Sequence, residues 1–195
     1  MRAPISVIIP TLNSGEDLPA CLMALGEGLN EGVIRELIIS DGGSSDTTLR
    51  TADAAGAVIV TGPASRGGQM RRGAEAAEGD WLFFLQADSQ LAPGWTTAVK
   101  RHLLTDKAAA FRRGYRSGHP MDRVTVVWAN LRSRLFGLSS DDQGLLIPRG
   151  LYQSIGGYPD LRQRDDLAIA RALRGQITLL SAIVTPSGER YGPDG

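Results

Sequence analysis

Apolar positions along the chain fall in short runs separated by polar loops, and the runs alternate in kind. Ile5-Ser6-Val7-Ile8-Ile9 is a β-branched run followed by Pro10, which predicts a buried first strand stopped at that proline. Thr11-Leu12-Asn13-Ser14 supplies turn and cap residues, and residues 16–29 carry helical apolar spacing. Residues 34–40 predict a second strand centred on Leu37-Ile38-Ile39, residues 47–55 a helix with Asp46 as its N-cap, and residues 57–61 a third strand. A polar loop over 64–73 flows into an alanine-rich helix that stops at Gly79. Trp81-Leu82-Phe83-Phe84-Leu85 follows, too short for a helix and apolar enough for a strand covered on both faces.

The second half is less regular. Residues 93–104 predict a helix, 108–115 a strand and 121–136 a helix with Val124, Trp128, Leu131 and Leu135 on one stripe. Leu145-Leu146-Ile147 predicts a short strand, 165–174 a short helix and 177–184 a closing strand. Strands alternating with helices every twenty-odd residues imply βαβ units: an α/β domain with a mainly parallel central sheet and helices on both faces. The expected domain covers residues 1–185, in two halves over about 1–92 and about 93–185. Residues 186–195 have no periodicity and are expected to form a mobile tail.

Composition narrows the function. A chain of 195 residues with 42% hydrophobic content suits one globular domain. Lys plus Arg equals Asp plus Glu at 21 each, which argues against a nucleic-acid partner because such partners need a basic surplus. The single cysteine, Cys21, cannot form an internal disulfide and sits on an apolar stripe, where a buried, inert thiol is expected. His102 and His119 stand in unrelated settings, so no zinc site is indicated. The start is too short for a signal peptide, and no run approaches a membrane span. These features point to a soluble cytoplasmic protein, and the zero net charge is compatible with peripheral contact at the inner membrane face.

Four polar loops follow four predicted strands, and in a doubly wound sheet all four open at the edge where ligands bind. After the fourth strand stands Asp88, an acid able to hold a divalent cation and through it a diphosphate, or simply to make a turn. The second loop, 41–46, pairs a carboxylate able to accept from a base or ribose with glycines that allow close approach. It also suits a plain strand–turn–helix connection. The third loop carries Arg66, Gln69, Arg71 and Arg72, suited to phosphates or, for Arg71 and Arg72, to a solvated charged face. Asp165-Asp166 is an adjacent acidic pair: one member with a raised pKa would suit a general base, though acids also favour helix starts for dipole reasons alone. The dinucleotide fingerprint, the P-loop and the nucleophile elbow are all missing.

The order of these pieces resembles the family 2 glycosyltransferases of the GT-A, Rossmann-like fold. The resemblance rests on residues 5–13, Ile38-Ile39-Ser40-Asp41-Gly42-Gly43-Ser44-Ser45-Asp46, and 79–88. Residues 128–137, Asp142-Gln143-Gly144 and Gly156-Gly157-Tyr158-Pro159 resemble a compact subgroup of small bacterial members often labelled arsenosugar-biosynthesis glycosyltransferase. The resemblance implies an inverting transfer of a sugar from a nucleoside diphosphate donor, usually a UDP-sugar, to an acceptor hydroxyl, with Mg²⁺ or Mn²⁺. The acceptor, whether sugar, lipid-linked or small molecule, is not implied. By position it places Pro10, Thr11, Asn13, Asp41, Arg66, Gln69, Ala87 and Asp88 around the nucleotide, with Asp88 also on the metal. Trp128, Asp142, Gln143 and Gly144 fall on the acceptor side; Asp166 matches the general base and Asp165 the acid beside it. Three positions depart from the pattern: Gln86 replaces the first acid of D-x-D, Gly42 a second acid at the base, and Ser14 a glutamate. Two alternatives stand beside this expectation: a sugar-1-phosphate nucleotidyltransferase, which would need a glycine-rich basic first loop, and a non-catalytic sugar-nucleotide-binding module.

Overall fold

A computed structural model describes residues 3–114, 143–159 and 165–186. Its strands are β1 (Ile5–Thr11), β2 (Ile34–Asp41), β3 (Val58–Thr61), β4 (Trp81–Phe84), β5 (Ser89–Leu91), β6 (Ala108–Arg113), β7 (Leu145–Pro148) and β8 (Ile177–Pro186). They form one sheet in the order β3-β2-β1-β4-β7-β6-β8-β5. The pairs β2/β3, β1/β2, β1/β4 and β6/β8 are parallel, while β7 and β5 run against their neighbours. The sheet is therefore mixed and mostly parallel, as the alternating pattern implies.

The helices among the described residues are α1 (Leu18–Asn30), α2 (Thr48–Ala54), α3 (Arg66–Ala76), α4 (Trp95–His102), α5 (Arg149–Ser154) and α6 (Asp165–Ala172). One face of the sheet packs Leu18, Cys21 and Leu25 of α1, Ala52 of α2, and Trp95 and Val99 of α4 against Val7, Ile9, Ile39, Phe83 and Phe111. The opposite face packs Met70 and Ala74 of α3, Tyr152 of α5, Ile169 of α6 and Leu173 just after it against Ile8, Ile38, Phe84 and Leu145. Each of the buried Val, Leu, Ile, Phe and Met side chains among these contributes about 1.5–3 kcal/mol when fully buried. Both faces are thus covered over β1, β4 and the second half of β2, whose buried stretches read as near-continuous apolar runs rather than alternating ones.

Several boundaries differ from expectation for identifiable reasons. Pro10 does not end β1, which runs on to Thr11. The Leu85 N–H donates to the Ile8 carbonyl at 3.0 Å, and the last β1–β4 register pair is Ile8 with Phe84. Alternation along the strand then turns the nitrogen of Pro10 toward β4's side, beyond β4's end, where no ladder bond needs an N–H. The third loop is shorter than expected, because Arg66-Gly67-Gly68 already belongs to α3. The glycines of α3 permit close packing: a Cβ on Gly73 would lie 2.5 Å from Ile8 Cγ2. β5 and α5 carry too few residues to show a period, and β8 extends to Pro186 because Ser89 and Gln90 pair with Pro186 and Thr185. The expected helix over 121–136 and the rest of the tail lie outside the described residues.

Candidate functional site

Because β3, β2, β1 and β4 are parallel neighbours, their following loops line one edge of the sheet. Chain order reverses between β1 and β4, which makes that crevice the topological switch point where α/β proteins bind ligands.

The first two loops are laced together by side chains. Consecutive amides of Asn13, Ser14 and Gly15 donate to Ser44 Oγ (2.8 Å), Thr48 Oγ1 (2.8 Å) and Asp46 Oδ2 (2.9 Å). In return the Ser45 N–H donates to Asn13 Oδ1 at 2.9 Å, and Asn13 adopts a left-handed backbone with φ 50°. Gly15 is obligatory there, since a Cβ would lie 2.2 Å from Thr47 Oγ1. Asp46 stands one residue before the cap position Thr47 and accepts from the Thr48 N–H at 2.9 Å as well as from Gly15. The Thr48 hydroxyl and N–H and the Gly15 N–H hold the Asp46 carboxyl below the usual carboxylate range.

Asp41, offered by the sequence to a base or ribose, is 0% exposed. Its Oδ1 accepts from Thr11 Oγ1 (2.8 Å) and Ser44 Oγ (2.5 Å), and its Oδ2 from the amides of Gly43 and Ser44 (2.7 Å each). Burial pushes its pKa up, but the bonds from Ser44, Thr11 and Gly43 outweigh burial and hold it below the usual range. In this arrangement the carboxylate shapes the loop from within. Serine and threonine density over 44–48 is the sequence signal for this lacing, which sequence reasoning passed over.

From the other face of the sheet, Gln69 of α3 donates through Nε2 to the carbonyls of Thr11 (2.8 Å) and Ser40 (2.9 Å). Arg72 donates to the Asp41 carbonyl at 3.2 Å, whereas Arg71 is exposed, 3.8 Å from Glu75. Arg66, half-buried, opens α3 at this edge. Pro10 and Thr11 are buried at the end of β1, and Asn13 is exposed on the first loop.

After β4 the chain turns through Ala87 and Asp88, with the Ser89 N–H donating to the Gln86 carbonyl at 3.1 Å. Ala87 is buried and Asp88 half-buried. The turn rests on α1, where Cys21 Sγ lies 3.5 Å from the Gln86 carbonyl. Burial first, then the negative charges of Asp88 and Asp17, raises the Cys21 pKa and keeps the thiol protonated and inert, as expected. Among the described residues no group of three or more His, Cys, Asp or Glu surrounds a metal position. A cation held at Asp88 would take one protein carboxylate there and its other oxygens from diphosphate and water, as Mg²⁺ commonly does.

Gln143 is buried and donates to the Phe111 carbonyl at 3.2 Å, and Gly144 (φ 62°) packs where a Cβ would meet the Phe83 ring at 3.1 Å. Gly144 thus sits against the end of β4, and Gln143 against β6. Trp128 and Asp142, and the side chains of Asp165 and Asp166, lie outside the described residues. The backbone of α6 is informative all the same. It leads through residues 173–176 into β8, which is parallel to β6 and starts at the opposite edge, so α6 begins toward the loop edge. The buried residues here are Ile169 and Ala170 of α6 and Leu173 just past its end, and position 166 stands three, four and seven residues before them.

The family model for glycosyl transferase family 2 matches residues 6–147. The chain belongs to that family. All four strand-end loops of this family 2 glycosyltransferase lie inside the matched range, and α6 follows it. A PGL/p-HBAD biosynthesis glycosyltransferase of Mycobacterium bovis is 32% identical over 185 residues, covering 84% of this chain and 66% of the relative. The same figures hold for the M. tuberculosis protein, so the chain spans just under two thirds of these relatives' length. Among solved structures, glucosyl-3-phosphoglycerate synthase from M. tuberculosis, in complex with Mn²⁺, UDP and glucosyl-3-phosphoglycerate, superposes with a TM-score of 0.68. It is 23% identical, over 97% of this chain and 73% of that one. S. aureus TarS 1–349 in complex with UDP gives 0.70 at 18% identity, over 94% and 61%. At such identities the likeness establishes the fold, and the fold is that of GT-A glycosyltransferases.

Proposed function

We propose that this protein transfers a sugar, with inversion, from a nucleoside diphosphate sugar, UDP-linked in our reading, to an acceptor hydroxyl. The observation that carries the proposal is the placement of Asp88: in a family 2 chain, a half-buried carboxylate in the turn after β4, beside the β1 loop at the switch point. Solved neighbours of the same fold hold UDP with Mn²⁺ or Mg²⁺. A divalent cation at Asp88 would supply charge neutralisation for the departing diphosphate. Arg66, at the start of α3 on the same edge, would face the phosphates. Pro10, Thr11, Asn13 and Ala87 line the nucleotide, with Asp41 acting through the loop it folds.

Asp166 takes the acceptor's proton as the hydroxyl oxygen bonds to the anomeric carbon, while the bond from that carbon to the diphosphate breaks and its electron pair leaves with UDP. Asp165 stands beside it as an acceptor contact. Trp128, Asp142, Gln143 and Gly144 belong to the acceptor side. The acceptor itself is a sugar, a lipid-linked group or a small molecule, and the lipid-linked case would bring the protein to the inner membrane face. Among the described residues no helix is long and apolar enough to cross a membrane.

The test is a thermal-shift and calorimetric panel of UDP-, GDP- and dTDP-sugars with and without Mn²⁺, followed by acceptor or water as the receiving group. Metal-dependent UDP-sugar binding with release of UDP supports the proposal. Binding without turnover would indicate a non-catalytic module, and pyrophosphate release from a nucleoside triphosphate and a sugar-1-phosphate would indicate a nucleotidyltransferase.

A further inference from the structure

We propose that Gln69 and Arg72 are positioning residues: a clamp on α3 that sets the spacing of the loops after β1 and β2 without touching the nucleotide. The inference rests on reading this edge as the nucleotide site. Each strand-end carbonyl has two lone pairs, so a side chain can add a second donor beside the amide that continues the ladder. Thr11, Ser40 and Asp41 are those strand-end residues. The Thr11 carbonyl accepts from the Gly42 N–H and from Gln69 Nε2, both at 2.8 Å. Gln69 also serves the Ser40 carbonyl at 2.9 Å, and the Asp41 carbonyl accepts from the Gly62 N–H (3.1 Å) and Arg72 Nη2 (3.2 Å). Residues 69 and 72 are three apart and so share a helix face.

Two glycines mark where the clamp passes. A Cβ on Gly42 would lie 3.3 Å from Gln69 Nε2 and 3.2 Å from Ala64 Cα, and a Cβ on Gly62 would lie 2.6 Å from Arg72 Nη1. Neither glycine has a left-handed backbone, so clearance for these side chains, not conformation, explains both. Gln69 is 5% exposed and has almost no surface to offer a ligand. A displaced Thr11 or Ser40 carbonyl would be felt at once by Asp41, and through it by the amides of Gly43 and Ser44.

The experiment compares Gln69→Met, Arg72→Met, Arg72→Lys and the core control Val99→Ala, measuring UDP affinity with Mn²⁺ and amide hydrogen exchange of the nucleotide-free protein. Gln69→Met should weaken UDP about tenfold and speed exchange at Gly42, Gly43 and Ser44, with β4 amides unchanged. Arg72→Met should do the same more weakly, and Arg72→Lys, which keeps a donor, should restore the wild-type values. Val99→Ala should lose stability yet keep its UDP affinity. A folded Gln69→Met protein with UDP affinity within about twofold of wild type overturns the clamp. So does weakened affinity with unchanged exchange in the free protein, which would mean direct contact. If Gln69→Met does not fold, equal behaviour of Arg72→Met and Arg72→Lys overturns it. If wild type binds no nucleoside diphosphate, the functional reading falls, and the exchange measurements still decide the clamp.

Discussion

The two ends of the same sheet are closed by different chemistry. At the loop edge the fastenings are hydroxyls, amides and buried acids: Asp41 with Thr11 and Ser44, Asn13 with Ser45, Gln69 with two carbonyls. At the opposite edge Glu36 accepts from Ser6 Oγ and the Glu78 N–H, Arg35 pairs with Glu78, and Arg149 donates to the Gly79 carbonyl at 2.8 Å. On that side Glu27 of α1 also clasps the start of α4. The opposite edge is sealed by charge against charge and by backbone capture. The loop edge is braced from beneath and behind, which leaves Asp88 half-buried in its turn and Arg66 half-buried at the start of α3. Bracing of this kind fixes loop positions before a ligand arrives, which is what preorganisation requires. The contrast predicts that loop-edge changes act on binding and turnover, and opposite-edge changes on stability alone.

The largest effect tests the start of α6. Asp166→Asn should keep UDP-sugar binding and lower turnover by roughly two to four orders of magnitude, while Asp165→Asn costs less. Adjacent helical residues point about 100° apart, so one of the two can serve as base. Steady-state kinetics on both variants decides; a deader Asp165→Asn enzyme reverses the assignment. Next in size, Asp88→Ala should abolish metal-dependent UDP binding while the unfolding transition stays near that of wild type. Unchanged affinity for UDP with Mn²⁺ in the folded variant would falsify it.

Asp41 should show the loop edge's internal bracing. Its carboxyl is held below the usual range in the folded protein, so it adds stability above its unfolded pKa of about 3.9, lost as pH falls through the folded value. Asp41→Asn replaces an acceptor of charged character with a weaker one, and about 2 kcal/mol of stability should go at pH 7. Denaturation of both proteins from pH 7 downward should show the gap narrowing below about pH 4. UDP affinity should fall as well, because the loop from 42 to 44 is folded around this group. A gap independent of pH would mean that the carboxylate is not what holds the loop.

How much of this was legible depends on whether the signal was local. β1, the second half of β2 and β4 announce themselves because they are buried on both faces and bounded by turn residues, β3 by its β-branched run between turns, and those strands place Asp88 at the switch point. β5 and α5 are too short to carry a period; β5 exists because Ser89 to Leu91 meet β8 almost a hundred residues later. The same holds within the site. That Asp41 lies in a strand-end loop follows from its neighbours, but that its oxygens are occupied depends on Thr11, thirty residues away. Gln69 looked like a ligand contact because glutamines near arginines and glycines suit phosphates. Its carbonyl partners lie 29 and 58 residues away, and nothing in its own stretch indicates them.

The smallest predicted effect is at the opposite edge, on Glu27. Its carboxylate accepts from the Gly94 N–H at 2.7 Å and from the Thr96 N–H and hydroxyl at 3.1 and 2.5 Å, capping α4 from another helix. The need arises locally: Gly94, the N-cap residue, has φ 84° and no side chain to cap with, and the first turn of α4 has no acid of its own. The hydroxyl of Thr96 is the main cause that holds the Glu27 carboxyl below the usual range; burial opposes it, and the amides of Gly94 and Thr96 add to the hydroxyl's effect. A depressed folded pKa means that the contribution is complete above the unfolded value of about 4.3 and disappears as pH falls through the folded one. Glu27→Gln keeps the shape and one acceptor oxygen but loses the charge facing the helix start, which should cost about 1 kcal/mol at pH 7. Added salt should shrink that difference, since the group is partly exposed. UDP affinity should not move, because Glu27 lies near the end of α1 remote from the loops. A Glu27→Gln protein that melts like wild type but binds UDP more weakly would erase the division of labour between the two edges.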